Sequence, residues 1–443
     1  MTTSLTQLVV CLVAGILLII ILTARYRVHA FFALLLACFV VGFGVQMPGS
    51  AIVAASKQGF GNIMQSLGLI IVLGTALGVI LEHTGSTRVM ATFILKKAGE
   101  RRAALAMSIT GFIVGLPIFC DSGYIVLSGL NKSMARRTGT PMAVMAVSLA
   151  TGLYAVHCLI PPHPGAAAAA GTIGVDFGRL ILAGVLVAIP AMIVGYWWAG
   201  RAGRKTTQEI ITGDAHEEDT STGPPVLLSF LPVVVPILLI ALKSFLSLEK
   251  TGSTIWMTII SFLGDPVIAL STGVLLAFCG NRSWKKETVS KLLTESAEKA
   301  GGILVIIGAG GAFGAVLAAT HLDQHFNNAP SLNSLGMLFP FLLTFILKTA
   351  QGSSTVAIIT AASIVQPLLP ALGLATPDGQ LIAVLSMGAG SMMISHANDA
   401  YFWVIARFSG LDMKTMLKVY SVASILMALV TLLVVYIVSL VLL

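Results

Sequence analysis

Long apolar runs alternate with short polar interruptions along this chain, and the interruptions fall at matching places in its two halves. Runs at 5–23, 29–47, 62–82 and 178–200, then at 226–247, 256–279, 301–319 and 416–443, approach the roughly 20 apolar residues that cross a hydrocarbon layer as helix. Four further segments are apolar but broken partway. Pro117, Asp121, Ser122 and Gly123 interrupt 103–131, and the stretch from His157 to Gly165, with three prolines, interrupts 141–173. Gln351 to Thr355 interrupt 335–370, and Ser395 to Asp399 interrupt 379–406. The first and third of these read as re-entrant hairpins, the second and fourth as broken crossings.

The spacing repeats as well. Asp121 and His163 are 42 positions apart, Ser353 and His396 are 43 apart, and Gly74 and Gly78 recur as Gly310 and Gly314 at a shift of 236. The same shift carries His163 onto Asp399, so three landmarks agree on an internal duplication. A hairpin returns to the side it left, so each half makes an odd number of crossings, and the second enters the bilayer upside down. The expected fold is an all-α polytopic membrane protein of two inverted-topology repeats, 1–200 and 225–443, joined by a polar linker at 201–224.

Composition agrees with lipid as the solvent. With 443 residues, 56% hydrophobic and 10% charged, the chain has too little polar surface to cover a soluble globule of its size. The net charge of +8 does not indicate nucleic acid, because no basic stripe interleaved with aromatics lies outside the apolar segments. Orientation in the membrane accounts for it. Of the 26 Lys and Arg, Lys57, Arg179 and Lys250 fall on one face, Lys243 and Lys348 lie within apolar segments, and all the others fall on the opposite face. Taking the basic face as cytoplasmic places both termini outside, the linker inside, and the protein in the inner (plasma) membrane. The N-terminus lacks a basic region and a small-residue cleavage site, so its apolar run reads as a first membrane helix. Cys11, Cys38, Cys120, Cys158 and Cys279 have no paired spacing, and neither a disulfide framework nor a metal knuckle is legible.

Backbone that leaves a helix at membrane depth survives only where protein or a water-filled cavity surrounds it. Four breaks in related positions therefore imply one shared cavity, with half-helix N-termini directing partial positive charge at an anion. Asp121 is the first candidate for carrying a coupled proton, since a carboxylate there is costly unless paired, hydrated or protonated. Asp399 is the second, although an acid at that place equally caps a helix. His157 completes the expected proton-coupling set, with imidazoles that relay a proton. The expected substrate contacts are Ser122, Gly123, His163, Lys348, Gly352, Ser353, Ser354, Thr355, His396 and Asn398. Lys348, the one cation deep in the second hairpin, would meet a substrate carboxylate, snorkel to the external surface or neutralise Asp399; Ser353, Ser354 and Thr355 offer hydroxyl and backbone donors. The glycines at 308–314 lack the third glycine and preceding strand of a dinucleotide loop and fit close helix contact instead. His321 and His325 have zinc-like spacing without the glutamate of a protease motif. No cofactor, metal or enzyme activity is expected.

At these residues the sequence resembles the gluconate permease family, the gluconate:proton symporters of the larger ion transporter superfamily. The resemblance runs over essentially the whole chain. It is carried by Pro117 to Gly123 with its acid at Asp121, by Pro161-Pro162-His163-Pro164-Gly165, by Gln351-Gly352-Ser353-Ser354-Thr355-Val356-Ala357, and by Ser395-His396-Ala397-Asn398-Asp399 followed by Phe402-Trp403. Ser354 stands where alanine is common in the family, Ala397 where valine is, and Cys120 where an aromatic is. The resemblance implies uptake of a small sugar acid, typically gluconate, with a proton. Members of the family also carry D-serine, and a sodium-coupled carboxylate transporter of similar architecture is the nearest alternative. The partners implied are a small monocarboxylate, a proton and the lipid bilayer, with oligomeric state left open.

Overall fold

The computed structural model of the chain describes residues 5–99, 102–206, 223–246, 255–280, 284–320 and 335–442, and among them all regular structure is helical. The first half opens with α1 (Leu5–Ile20), α2 (Ala30–Gly44), a long α3 (Gly49–His83) and a short α4 (Ser86–Ala98). Two broken pairs follow: α5 (Ala103–Gly115) with α6 (Cys120–Thr138), and α7 (Met142–Leu159) with α8 (Pro164–Ile173). Helix α9 (Phe177–Gly203) closes the half. The second half contains α10 (Val226–Leu246), α11 (Ile255–Leu263), α12 (Pro266–Phe278) and a long α13 (Lys286–Ala319). Its broken pairs are α14 (Leu338–Gln351) with α15 (Ser354–Val365), and α16 (Pro377–Ser391) with α17 (Ala400–Ser409). Helix α18 (Met413–Leu442) ends the chain and contains a π turn at Leu417–Ser421.

Seven helical stretches among the described residues are long and apolar enough to cross a membrane. Their burial is uneven. Within the apolar window of Met142–Ile173, 94% of residues are buried inside the protein, against 28% for Val226–Ser244 and for Met413–Leu442. Helices α10 and α18 thus present apolar side chains outward, while α7 and α8, which carry an irregular turn, are shielded on all sides as unpaired backbone requires.

Elements recur in order at a nearly constant shift. From α2 to α12 the first residues are 236 apart, from α3 to α13 237, from α5 to α14 235, and from α6 to α15 234. The shift is 235 from α7 to α16 and 236 for both α8 to α17 and α9 to α18. Packing between the halves is reciprocal: α2 lies on α13 and α12 on α3, while α8 lies on α15 and α17 on α6. Helices α3 and α13 cross at Gly59 and Gly311, where a Cβ on Gly59 would sit 2.2 Å from the Gly311 carbonyl oxygen. Only a glycine permits that backbone-to-backbone approach.

Three expectations are corrected. The run 256–279 is two helices, because Gly264, Asp265 and Pro266 stop α11 and start α12: Asp265 Oδ1 accepts from Val267 N at 2.9 Å, and Pro266 occupies the first helical position. At about 1.5 Å per residue neither piece alone reaches across a ~30 Å core. Second, the crossings at 62–82 and 301–319 begin 13 and 15 residues earlier, as 35- and 34-residue helices. Hydropathy registers only their apolar parts, whereas Lys57 and Gln58, good helix formers, lie in the upstream extension of α3. Third, α4 was not anticipated at all. Helix α9 also runs through 201–203, into the expected linker, of which 207–222 lie outside the described residues, as do His321 and His325.

Candidate functional site

Each of the four broken pairs stops for a local reason. Helix α5 ends at Gly115: Leu116 still keeps helical dihedrals (φ −55°, ψ −46°), but Pro117 has no N–H with which to continue the ladder. Helix α7 ends where Ile160 turns extended (φ −122°, ψ 125°) before Pro161 and Pro162, and Pro164 then opens α8 at a position that needs no N–H. Helix α14 ends on Gly352, at φ +81°, in a left-handed cap. A Cβ there would also lie 2.1 Å from the Asn398 carbonyl oxygen, so glycine is required twice over. Helix α16 gives way to the irregular stretch 392–399, which ends on the N-cap Asp399 of α17.

These breaks converge. Gly165, in the first turn of α8, abuts Thr355 and Ile358 of α15. Tyr154 OH lies 2.7 Å from Ser354 Oγ, and both hydroxyls reach the Ser391 carbonyl, at 3.0 and 3.1 Å. His157 Nε2 is 3.4 Å from Thr355 Oγ1. His163, buried, donates from Nε2 to the Gly115 carbonyl at 2.7 Å, which fixes the proton on that nitrogen and ties the α8 cap to the end of α5. Its ring meets those of His157 and Phe119, with centroids 4.9 and 6.4 Å away. The reciprocal contact is made by Tyr124 of α6, whose hydroxyl bonds Ser409 of α17. Paired glycines seat the long helices against the same region: Gly74 faces Pro162 and Gly78 faces the Pro117 carbonyl, while Gly310 and Gly314 pack on Ile359 and Ser363 of α15.

Lys348 is fully buried. Its Nζ donates to the Gly352 carbonyl at 2.6 Å and to Asp399 Oδ2 at 2.7 Å, forming an ion pair between the end of α14 and the start of α17. The Ser395 hydroxyl donates to the same carboxylate oxygen, and Tyr401 N donates to Oδ1 at 2.9 Å. Of the three roles open to Lys348, the geometry realises the neutralising one. Removing one member of such a pair leaves an uncompensated charge, at about 3–5 kcal/mol. His396 Nε2 donates to the Thr349 carbonyl at 3.3 Å, and Asn398 Nδ2 donates to the Thr349 and Ala350 carbonyls at 2.7 and 3.3 Å. Both residues therefore serve the orphan carbonyls at the end of α14.

The half-helix N-termini differ in their caps. Ser353 Oγ accepts from Val356 N at 3.3 Å and Asp399 caps α17, but Phe119 and His163 provide no side-chain cap for α6 and α8. Asp121 and Ser122 stand half-exposed in the first turn of α6, with Gly123 buried behind them. The inner oxygen of Asp121, Oδ1, has no hydrogen-bond partner among the described residues, and neither do His157 Nδ1, Thr349 Oγ1 or the Gln351 amide. The charges of Asp399 and Lys348 are close enough to act on Asp121, and that of Lys348 acts on His157. The expected residues thus gather in one region, with His396 and Asn398 at its rim. Tyr154, Ser391 and Thr349 belong to it without having been singled out, as does Gln351, which was named only as the first residue of its break. Tyr154 had one legible signal, a phenol one helical turn before His157 in a run of small apolar residues.

A family model described as the GntP family permease matches residues 7–441. A gluconate permease of Pseudomonas aeruginosa is 32% identical over 433 residues, covering 96% of this chain and 96% of its own length. The high-affinity gluconate transporter of Escherichia coli is 31% identical, covering 92% of this chain and 93% of its own. The D-serine transporter DsdX of Escherichia coli is 30% identical, covering 95% and 96%. Among solved structures, the Alcanivorax borkumensis YdaH transporter, described as having an unusual topology, superposes with a TM-score of 0.60 at 16% identity over 85% of this chain and 86% of its own. Neisseria gonorrhoeae MtrF, from a class of antimetabolite efflux pumps, gives 0.60 at 15% identity over 88% and 85%. At such identities the last two speak to the fold alone. A full-length family match on helices of this length and apolarity makes the chain a multi-pass membrane permease of the GntP family.

Proposed function

We propose that this permease imports gluconate or a related small hydroxylated monocarboxylate together with a proton. The observation that carries the reading is the charge balance between the breaks. Lys348 and Asp399 cancel one another, so the remaining Asp121 carboxylate gives the region a net charge of −1. An incoming carboxylate about 6 Å from Asp121 would be opposed by about 3 kcal/mol at an effective dielectric constant of about 20. A proton on Asp121 removes that opposition, and by linkage the bound anion favours the proton equally. The anion then faces the uncapped N-termini of α6 and α8, with the hydroxyls of Ser122 and Thr355 and the imidazole of His157 around it, while Ser353 caps α15. His163 positions the α8 cap, and Ser354, Gly352, His396 and Asn398 shape the tip of α14 and α15.

The same reading takes the halves 1–200 and 225–443 as inverted repeats joined by a cytoplasmic linker at 201–224. It takes α5–α6 and α14–α15 as re-entrant hairpins and places the protein in the inner membrane with external termini. The constant shift between elements, the reciprocal packing of the halves and the one-sided distribution of Lys and Arg support it. Alternating access would come from one bundle moving against the other around the breaks.

The test is uptake into proteoliposomes under an acid-outside gradient in sodium-free buffer. Asp121→Asn should abolish uphill accumulation while counterflow exchange continues; undiminished accumulation by this variant removes Asp121 from the role, and a strict sodium requirement replaces the proton. A second reading, D-serine as substrate, draws on the same carboxylate, since an ammonium would pair with Asp121 directly. Competition by D-serine that survives deprotonation of Asp121, where gluconate competition fails, would select it.

A further inference from the structure

A groove of about 480 Å³ lies at the C-terminal end of α9, lined by Tyr196, Trp197, Gly200, Arg201, Arg204 and Lys205. All three cations are exposed, and among the described residues no acidic side chain pairs with them. Gly200 opens the floor, since a Cβ there would meet nothing within 4 Å. The groove is the end of a longer feature. Leu182, Leu186, Ile189, Ile193 and Trp197 form a stripe on one face of α9, each 40–60% exposed, at helical spacings of three and four. From Leu182 to Trp197 this stripe rises about 23 Å, and Arg201 stands one further turn, about 6 Å, beyond it. An apolar track along the hydrocarbon, an amphipathic indole at its end and basic side chains one turn higher match in sequence the acyl chain, glycerol and phosphate of a lipid.

We propose that this groove is a binding site for an anionic phospholipid, with the phosphodiester held by Arg201, Arg204 and Lys205 and one acyl chain lying on the α9 stripe. The continuity of the stripe with the groove selects a lipid over a free anion, which would need the cations but not the track. The helix end opposes an anion slightly through its dipole, so the three side chains must supply the attraction.

Native mass spectrometry of the full-length permease with phosphatidylglycerol, against phosphatidylcholine of the same acyl chains, tests the site. The wild type should retain phosphatidylglycerol preferentially. R201Q/R204Q/K205Q should lose that preference by roughly a hundredfold, as expected for three basic contacts near a lipid surface. Gly200→Trp should lose it with every charge intact, which keeps the test decisive if the triple variant folds poorly, and R201K/R204K should keep most of it. Equal retention of the two lipids by the wild type, or unchanged preference in both Gly200→Trp and the triple variant, would overturn the proposal. So would full displacement by soluble glycerophosphoglycerol at a concentration equal to that of the lipid, which would mark a site for free anions.

Discussion

The breaks of the two halves occupy equivalent places and are built to different ends. In the second half the polar groups are largely spent on one another. Asp399 and Ser353 cap their helices, Lys348 closes on Asp399 and Gly352, and His396 and Asn398 take up the last carbonyls of α14. Thr349 Oγ1 and the Gln351 amide, which have no hydrogen-bond partner among the described residues, are exceptions. In the first half neither half-helix is capped by a side chain, and Asp121 and His157 each keep a buried polar atom without a partner. Two breaks at matching places thus form a clamp, and the other two leave polar atoms unpartnered. Buried polar groups that satisfy one another rigidify a site, whereas those left over are costly and persist where a ligand or proton completes them.

The sharpest way to break this comparison is to open the clamp. Lys348→Met leaves Asp399 buried without its cation and should destabilise the protein by about 3–5 kcal/mol, seen as loss of monodisperse material and a lowered Tm in detergent. Lys348→Met with Asp399→Asn should recover most of that loss. Equal instability of the single and double variants would show that the pair does not act as a unit. Asp121→Asn, on the open face, should behave in the opposite way. Folding should change by less than about 1 kcal/mol, because the amide keeps the shape and removes an uncompensated charge, while proton-driven accumulation is abolished, because a permanently neutral group admits the anion without taking up a proton. A Tm drop comparable to that of Lys348→Met would erase the distinction between the halves.

Smaller effects refine it. Gly352→Ala combines a positive φ with a contact against the Asn398 carbonyl and should cost about 1–3 kcal/mol, measured by thermal unfolding; a neutral outcome would mean that the tip of α14 yields easily. Ser353→Ala removes a cap bond and should cost about 1 kcal/mol, with transport of the surviving protein little changed. A selective loss of substrate affinity instead would move Ser353 from the clamp to the ligand.

The amino-acid pattern alone located all four breaks. Proline, glycine and short polar side chains act on the chain within one or two residues, so their consequences can be read locally: α7 stops at Leu159, next to Ile160 and Pro161, and α14 stops before Gly352. The shift of 236 likewise anticipated the pairing of α8 with α17. Helix lengths were less legible. The small residues that open α3 and the polar ones that open α13 are helical through packing rather than apolarity, and the cap at Asp265 divides a run that hydropathy joins.

What the sequence determined by itself is therefore the class of molecule: lipid as solvent, breaks at matching places in the two halves, and irregular backbone at four fixed places, each set by composition or by near neighbours. Which of the gathered charges is neutralised was decided only in three dimensions. Lys348 meets Asp399 across 51 positions, and Tyr154 meets Ser354 across 200. Such pairings depend on how whole helices cross, at places such as Gly59 against Gly311. There the summed packing of many residues, rather than any one of them, sets which side chains come within hydrogen-bonding reach.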